Sequence, residues 1–133
     1  MELAISTAER AEVLDVTDRV EAAVPDDVRA GTCTVFVPHT TAGVAVNEAE
    51  PRLLSDVEAA LSRLVPADAG YEHDAIDDNA AAHLRAMLVG ESVTVPVADG
   101  SLALGTWQSV LFLEGDGPRE RRLRVVVTEA VAG

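Results

Sequence analysis

The sequence has no lysine and only one cysteine, Cys33. A lone cysteine rules out an intrachain disulfide, so the core must hold the fold unaided. At 133 residues the chain is long enough for that and suits a single domain, 1–133. Cys33 falls in an apolar strand pattern and reads as a small buried hydrophobe. No apolar run is long enough for a signal peptide or a membrane span, so the expected location is the cytoplasm. Internal repeats and low-complexity segments are also absent. All 10 basic residues are arginines; set against 23 acids they leave a formal charge of -13. Such a surface repels nucleic acid and anionic lipid, which removes both from the expected partners. Strong acidity without lysine is the expectation for a salt-loving organism with a GC-rich genome.

Glu2 to Thr7 reads as a strand and Ala11 to Asp15 as a candidate second, followed by a short helix to about Ala23 that Asp15 or Thr17 would cap. Two strand-like runs, 32–37 and 43–48, flank the polar hinge Pro38-His39-Thr40-Thr41. Leucines and a valine at helical spacing predict a helix over 51–64, with Pro51 in its first turn and Pro66 beyond its end. A loop over 66–76 carries Tyr71 and His73. A second helix over 79–88 would be capped by Asp77 or Asp78 and stop at Gly90, with Ala80, Leu84, Met87 and Leu88 on its core face. Strands 92–97 and 101–104 join through the turn signal Asp99-Gly100. Residues 106–114 read as a central strand, with Gln108, Val110, Phe112 and Glu114 on one face, and 119–131 closes the chain. This order predicts an α+β fold, a mostly antiparallel sheet or sandwich with a few short helices.

Three groups of residues could carry chemistry. The only three histidines are His39 in the hinge, His73 in a loop and His83 on a helix. Their spacing matches no standard zinc signature, and each alone reads as a hydrogen-bonded structural residue. Together, three neutral imidazoles with an open fourth position would form a water-activating zinc site, oriented by Asp74, Asp77, Asp78 or Glu48. The second group is Leu104-Gly105-Thr106-Trp107-Gln108. It holds the only tryptophan, and its Gln108 shares a strand face with Glu114, so both need polar partners or a pocket. The third group is Arg119, Arg121, Arg122 and Arg124. A guanidinium fork suits phosphate or carboxylate, and the plain alternative is ion pairing with the protein's own acids. Arg119 stands apart because it follows the Gly115-Asp116-Gly117-Pro118 loop.

Taken in order, His39-Thr40-Thr41, Asn47-Glu48, Asp56, His73, Asp78-Asn79, Ala82-His83-Leu84, Gly90, Leu102 with Leu104-Gly105-Thr106-Trp107-Gln108, Glu114 and Asp116-Gly117-Pro118-Arg119 resemble the YjbQ family. Members of that family are named secondary thiamine-phosphate synthase enzymes. The resemblance covers about residues 2–130. It departs at Gly115, where the family usually has a bulkier residue. It implies a homotrimer with sheets around a threefold axis, a histidine-lined divalent metal site, with zinc the expected ion, and a weak ability to make thiamine phosphate. On the enzyme reading His39, His73 and His83 hold the metal, and Arg119 holds the phosphate or pyrophosphate of a small-molecule substrate. Glu48 or Glu114 moves a proton, and Gln108 orients the substrate. The same parts would serve a metal-dependent hydrolase of unknown substrate. The other class is a trimer that holds a metal or an anion without turnover.

Overall fold

Apolar residues recur at every second position in the strand segments, and the computed structural model, which describes residues 1–131, turns that pattern into two stacked antiparallel sheets. The elements in chain order are β1 (Glu2–Ser6), β2 (Glu12–Asp15), α1 (Thr17–Ala22), β3 (Ala30–Phe36), β4 (Ala42–Asn47) and α2 (Pro51–Leu64). A 3-10 turn (Glu72–Ala75), α3 (Ala80–Val89), β5 (Ser92–Ala98), β6 (Ser101–Leu102), β7 (Ser109–Glu114) and β8 (Glu120–Glu129) follow. The larger sheet runs β1-β8-β3-β5-β6 and the smaller β2-β7-β4. Every pairing is antiparallel, so the fold is α+β.

The core lies between the sheets. Ile5, Cys33, Val35, Val95, Leu123 and Val125 of the larger sheet meet Val44, Val110 and Phe112 of the smaller, and Val20 of α1 closes one side. Each such side chain contributes roughly 1.5–3 kcal/mol by leaving water. Cys33 is fully buried, as its strand position predicts. β7 is buried on both faces because β2 and β4 flank it and layers cover it above and below. The β5–β6 turn has φ of 51° at Asp99 and 80° at Gly100. Positive φ at both centres is the two-residue hairpin that an Asp-Gly pair favours.

Three expectations are corrected. The strand expected over 106–114 begins only at Ser109, and the segment before it is an exposed loop that leaves Trp107 74% accessible. The face of α3 is different: Ala80, Ala81 and Ala82 are buried, whereas Met87 and Leu88 are 80% and 63% exposed. At its start α3 turns its alanines inward, and a Cβ on Gly115 would stand 3.2 Å from the Ala82 Cβ; at its far end Val89 packs against Gly43, which leaves Met87 and Leu88 on the outer side. Neither Asp77 nor Asp78 caps α3. The 3-10 turn instead brings Asp74 Oδ1 within 3.0 Å of the Ala80 N–H that donates to it.

Candidate functional site

Along β8, Arg121 is in phase with Leu123 and Val125, so its guanidinium points into the protein. A buried cation needs a partner. β7 provides one in Glu114, the last residue on the Phe112 face. Arg121 Nε donates to Glu114 Oε1 at 2.8 Å and Nη2 donates to Glu114 Oε2. Nη2 also donates to Thr41 Oγ1 at 2.8 Å, and Thr7 Oγ1 donates to Glu114 Oε1 at 2.8 Å. Thr7, Thr41, Glu114 and Arg121 are the buried polar side chains of the described residues, and all four belong to this network. Burial alone would raise the Glu114 carboxyl, but the bonds from Arg121, from the Asp116 N–H and from Thr7 outweigh it and hold it below the ordinary range. Glu114 is therefore an ionised anchor. Arg121 Nη1 has no hydrogen-bond partner among the described residues, and the side chain lines the cleft above.

That cleft measures about 650 Å³ and is walled by the hinge after β3, the start of α3 and the loop after β7. His39, Thr40, Asp77, Asn79, His83, Glu91, Asp116 and Arg119 line it together with Arg121. A smaller hollow of about 280 Å³ adjoins it and shares His39, His83 and Glu91. A third cavity, under α2 and α3, has about 40 Å³, room for a water or two and no substrate.

Each wall has a local cause. β3 and β8 stay paired as far as Phe36 and Arg124. Pro38 lies beyond the last pair, and the chain turns away there. The Arg122 N–H then lacks a strand acceptor, and His39 Nε2 accepts it at 2.9 Å. Burial and the Arg121 charge lower the His39 pKa. On the loop, Asp116 Oδ2 accepts from Asn79 Nδ2 at 3.0 Å and from Arg119 Nη2 at 2.9 Å. Burial alone would raise the Asp116 carboxyl; these two bonds, with the charge of Arg10, keep it low and ionised. The amide of Asn79 is thereby fixed, and its Oδ1 is buried without a donor. Gly115 lets this loop lie flat, since a Cβ there would stand 2.8 Å from the Thr41 carbonyl.

His39, His83 and Arg119 thus face one cleft. His73 packs edge-on against His83 with ring centroids 4.8 Å apart. Glu114 lies beneath the floor, its oxygens taken. Gln108 is exposed in the loop before β7, where Oε1 accepts the Gly105 N–H at 2.8 Å. Glu48 sits half-buried just past β4. Both lie at the far end of the small sheet, because Asn47 pairs with Ser109 there while Ala42 pairs with Glu114 at the cleft end. Six-residue strands put the two ends roughly 17 Å apart at about 3.4 Å per residue. Arg121, Asp116 and Asn79 also belong to the site; the sequence shows Arg121 as one of an arginine cluster and Asn79 and Asp116 as motif residues, without the bonds that join them to their partners. The phase of Arg121 with Leu123 and Val125 was the available signal.

The three-histidine set does not fit a metal within one chain. Nε2 of His39 is committed to the Arg122 N–H, so the neutral ring carries its proton on Nδ1 and has no lone pair to offer. Among the described residues no three ligating side chains are gathered closely enough for an ion.

The fold and cleft define a class: a two-sheet α+β protein with a histidine- and arginine-lined cleft at one end of its smaller sheet. The family model described as UPF0047 protein YjbQ-like matches residues 1–130, and the chain belongs to that family. A UPF0047 protein of Archaeoglobus fulgidus is 53% identical over 125 residues, covering 94% of this chain and 98% of that protein. The UPF0047 protein YugU of Bacillus subtilis is 39% identical over 124 residues, covering 90% and 91%. The crystal structure of a hypothetical protein from Aeropyrum pernix K1 superposes with a TM-score of 0.93 at 43% identity, covering 98% of both chains. That of a YbjQ-like protein of unknown function from Sulfolobus solfataricus P2 gives 0.94 at 37%, covering 98% of this chain and 96% of that one.

Proposed function

We propose that the cleft binds the phosphate or pyrophosphate group of a small molecule, accompanied by a divalent cation, and that the protein is an enzyme acting on that group. The observation that carries this reading is Arg121. It is a buried guanidinium held rigid through Nε and Nη2, with Nη1 left over on a cleft that also holds Arg119. Preorganised donors of this kind suit phosphate oxygens. The cation follows from charge. Glu114 and Asp116 already balance Arg121 and Arg119, and Asp77 and Glu91 add further negative charge to the lining. A phosphate dianion entering alone would meet a wall with no net positive charge. His73 and His83, whose rings meet edge-on, are the two imidazoles that would hold the ion, with oxygens of the bound phosphate completing its shell; imidazole suits zinc. The thiamine-phosphate reaction, in which pyrophosphate leaves, is one member of this class, and phosphoester hydrolysis is another.

The test is calorimetric titration with pyrophosphate, with and without zinc. Binding should strengthen at least tenfold with zinc, and Arg119→Ala should weaken it about tenfold, the effect of one lost charge-assisted bond. Unchanged affinity in both comparisons would contradict the reading. A second reading, a holder of ions without turnover, is favoured by one observation: the Glu114 carboxylate is hydrogen-bonded on both oxygens and cannot shuttle a proton. Release of phosphate or pyrophosphate from bound esters separates the two.

The homotrimer implied by the resemblance also belongs to this proposal. Ile76, Met87 and Leu88 are exposed on the surface around His73 and His83, and Met87 lines the smaller hollow. A closed ring of three copies would cover them.

A further inference from the structure

The imidazole of His39 replaces a missing rung of the larger sheet. Beyond the Phe36–Arg124 pair, Pro38 redirects the chain, and the Arg122 N–H donates to His39 Nε2 at 2.9 Å. An acceptor nitrogen cannot carry a proton, so the proton of the neutral ring sits on Nδ1. Nδ1 has no acceptor among the described residues, and His39 lines both the main cleft and the hollow beside it. Arg121 Nη1, also without a partner, lines the same cleft.

We propose that His39 serves the cleft as a fixed Nδ1–H donor to the phosphate group, and that it is not a ligand of any metal bound there. The inference rests on the phosphate reading above and adds the role of one residue to it. To lend a lone pair to an ion, the ring would have to release the Arg122 N–H and turn away from the strand end. As a donor it needs no movement. His39 and Arg121 then form two points of one phosphate clamp, both set by the β8 backbone: one through the N–H of Arg122, the other through the Arg121 side chain. Thr40, next along the hinge, adds a hydroxyl to the same wall.

Two measurements on the full-length protein test this. Long-range proton–nitrogen NMR of the histidine rings should find Nε2 of His39 unprotonated and Nδ1 protonated, and zinc should leave that pattern unchanged. An Nε2–H tautomer, or loss of the Nδ1 proton on adding zinc, would overturn the assignment. The second is titration with inorganic phosphate in the presence of zinc. In His39→Gln the new amide oxygen can still accept the Arg122 N–H, so the variant should melt as the wild type does. It carries no donor at the Nδ1 position, and its phosphate affinity should fall about tenfold. His39→Asn, which restores a donor near Nδ1, should recover part of the loss. If Arg119→Ala loses phosphate while His39→Gln binds it like the wild type, the cleft reading stands and the role of His39 falls. If the wild-type protein binds no phosphate, both fall together.

Discussion

Glu114 and Arg121 are each 4% exposed, so removing either charge strands the other in the core. Glu114→Ala should cost roughly 3–5 kcal/mol, read from the urea midpoint, the range for breaking a buried ion pair. The pH dependence follows from the lowered Glu114 carboxyl. Its bonds stabilise the fold above the ordinary carboxyl value near 4.5, and that contribution is lost as the pH falls through the lower folded value. Stability should therefore drop below about pH 4, and by less in Glu114→Gln, whose amide does not titrate. This pair also marks where residue-level reading of the sequence stops. His39, His83 and Arg119 were visible as polar residues punctuating apolar runs. Glu114 was visible too, but as a proton carrier, because parity says that an acid is buried and not that an arginine seven residues later will meet it. Gln108 and Glu48 looked like neighbours of the site, yet pairing register sends them to the opposite end of the sheet.

Among the elements, α2 has a clear apolar face of Leu53, Leu54, Val57 and Leu61, but none of its residues is fully buried. Its amides should exchange with deuterium well before those of β7, which is buried on both sides. Equal protection would show that α2 is held by contacts the single chain does not supply, as in an assembly. The hairpin makes a sharper case. Gly100 has φ of 80°, and a Cβ there would collide with Arg29 Nη1. Gly100→Ala should cost about 1–3 kcal/mol in a thermal or urea melt, the usual strain for a side chain at positive φ. The strands, the long helix and this turn were legible because period and turn chemistry are local properties. The facing of α3 was not, since it depends on where the helix meets β4 and the Gly115 loop, which no local pattern records.

For the whole molecule, a formal charge of -13 means self-repulsion, which is strongest when salt is scarce and the screening length reaches about 30 Å at 0.01 M. The melting temperature should rise between low and molar salt; a flat response would argue against a halophilic origin. No helix among the described residues is long and apolar enough to cross a membrane. Light scattering in high salt should return the mass of a trimer, and a monomer mass would overturn the proposed assembly. The buried ion pair, the histidines and the cleft arginines converge at one end of the small sheet. The most direct test is a crystal structure of the protein grown with zinc and pyrophosphate. Phosphate oxygens are expected within hydrogen-bonding distance of both Arg121 Nη1 and His39 Nδ1, with the ion on His73 and His83. Pyrophosphate bound away from this cleft, or an ion coordinated by His39, would contradict this arrangement.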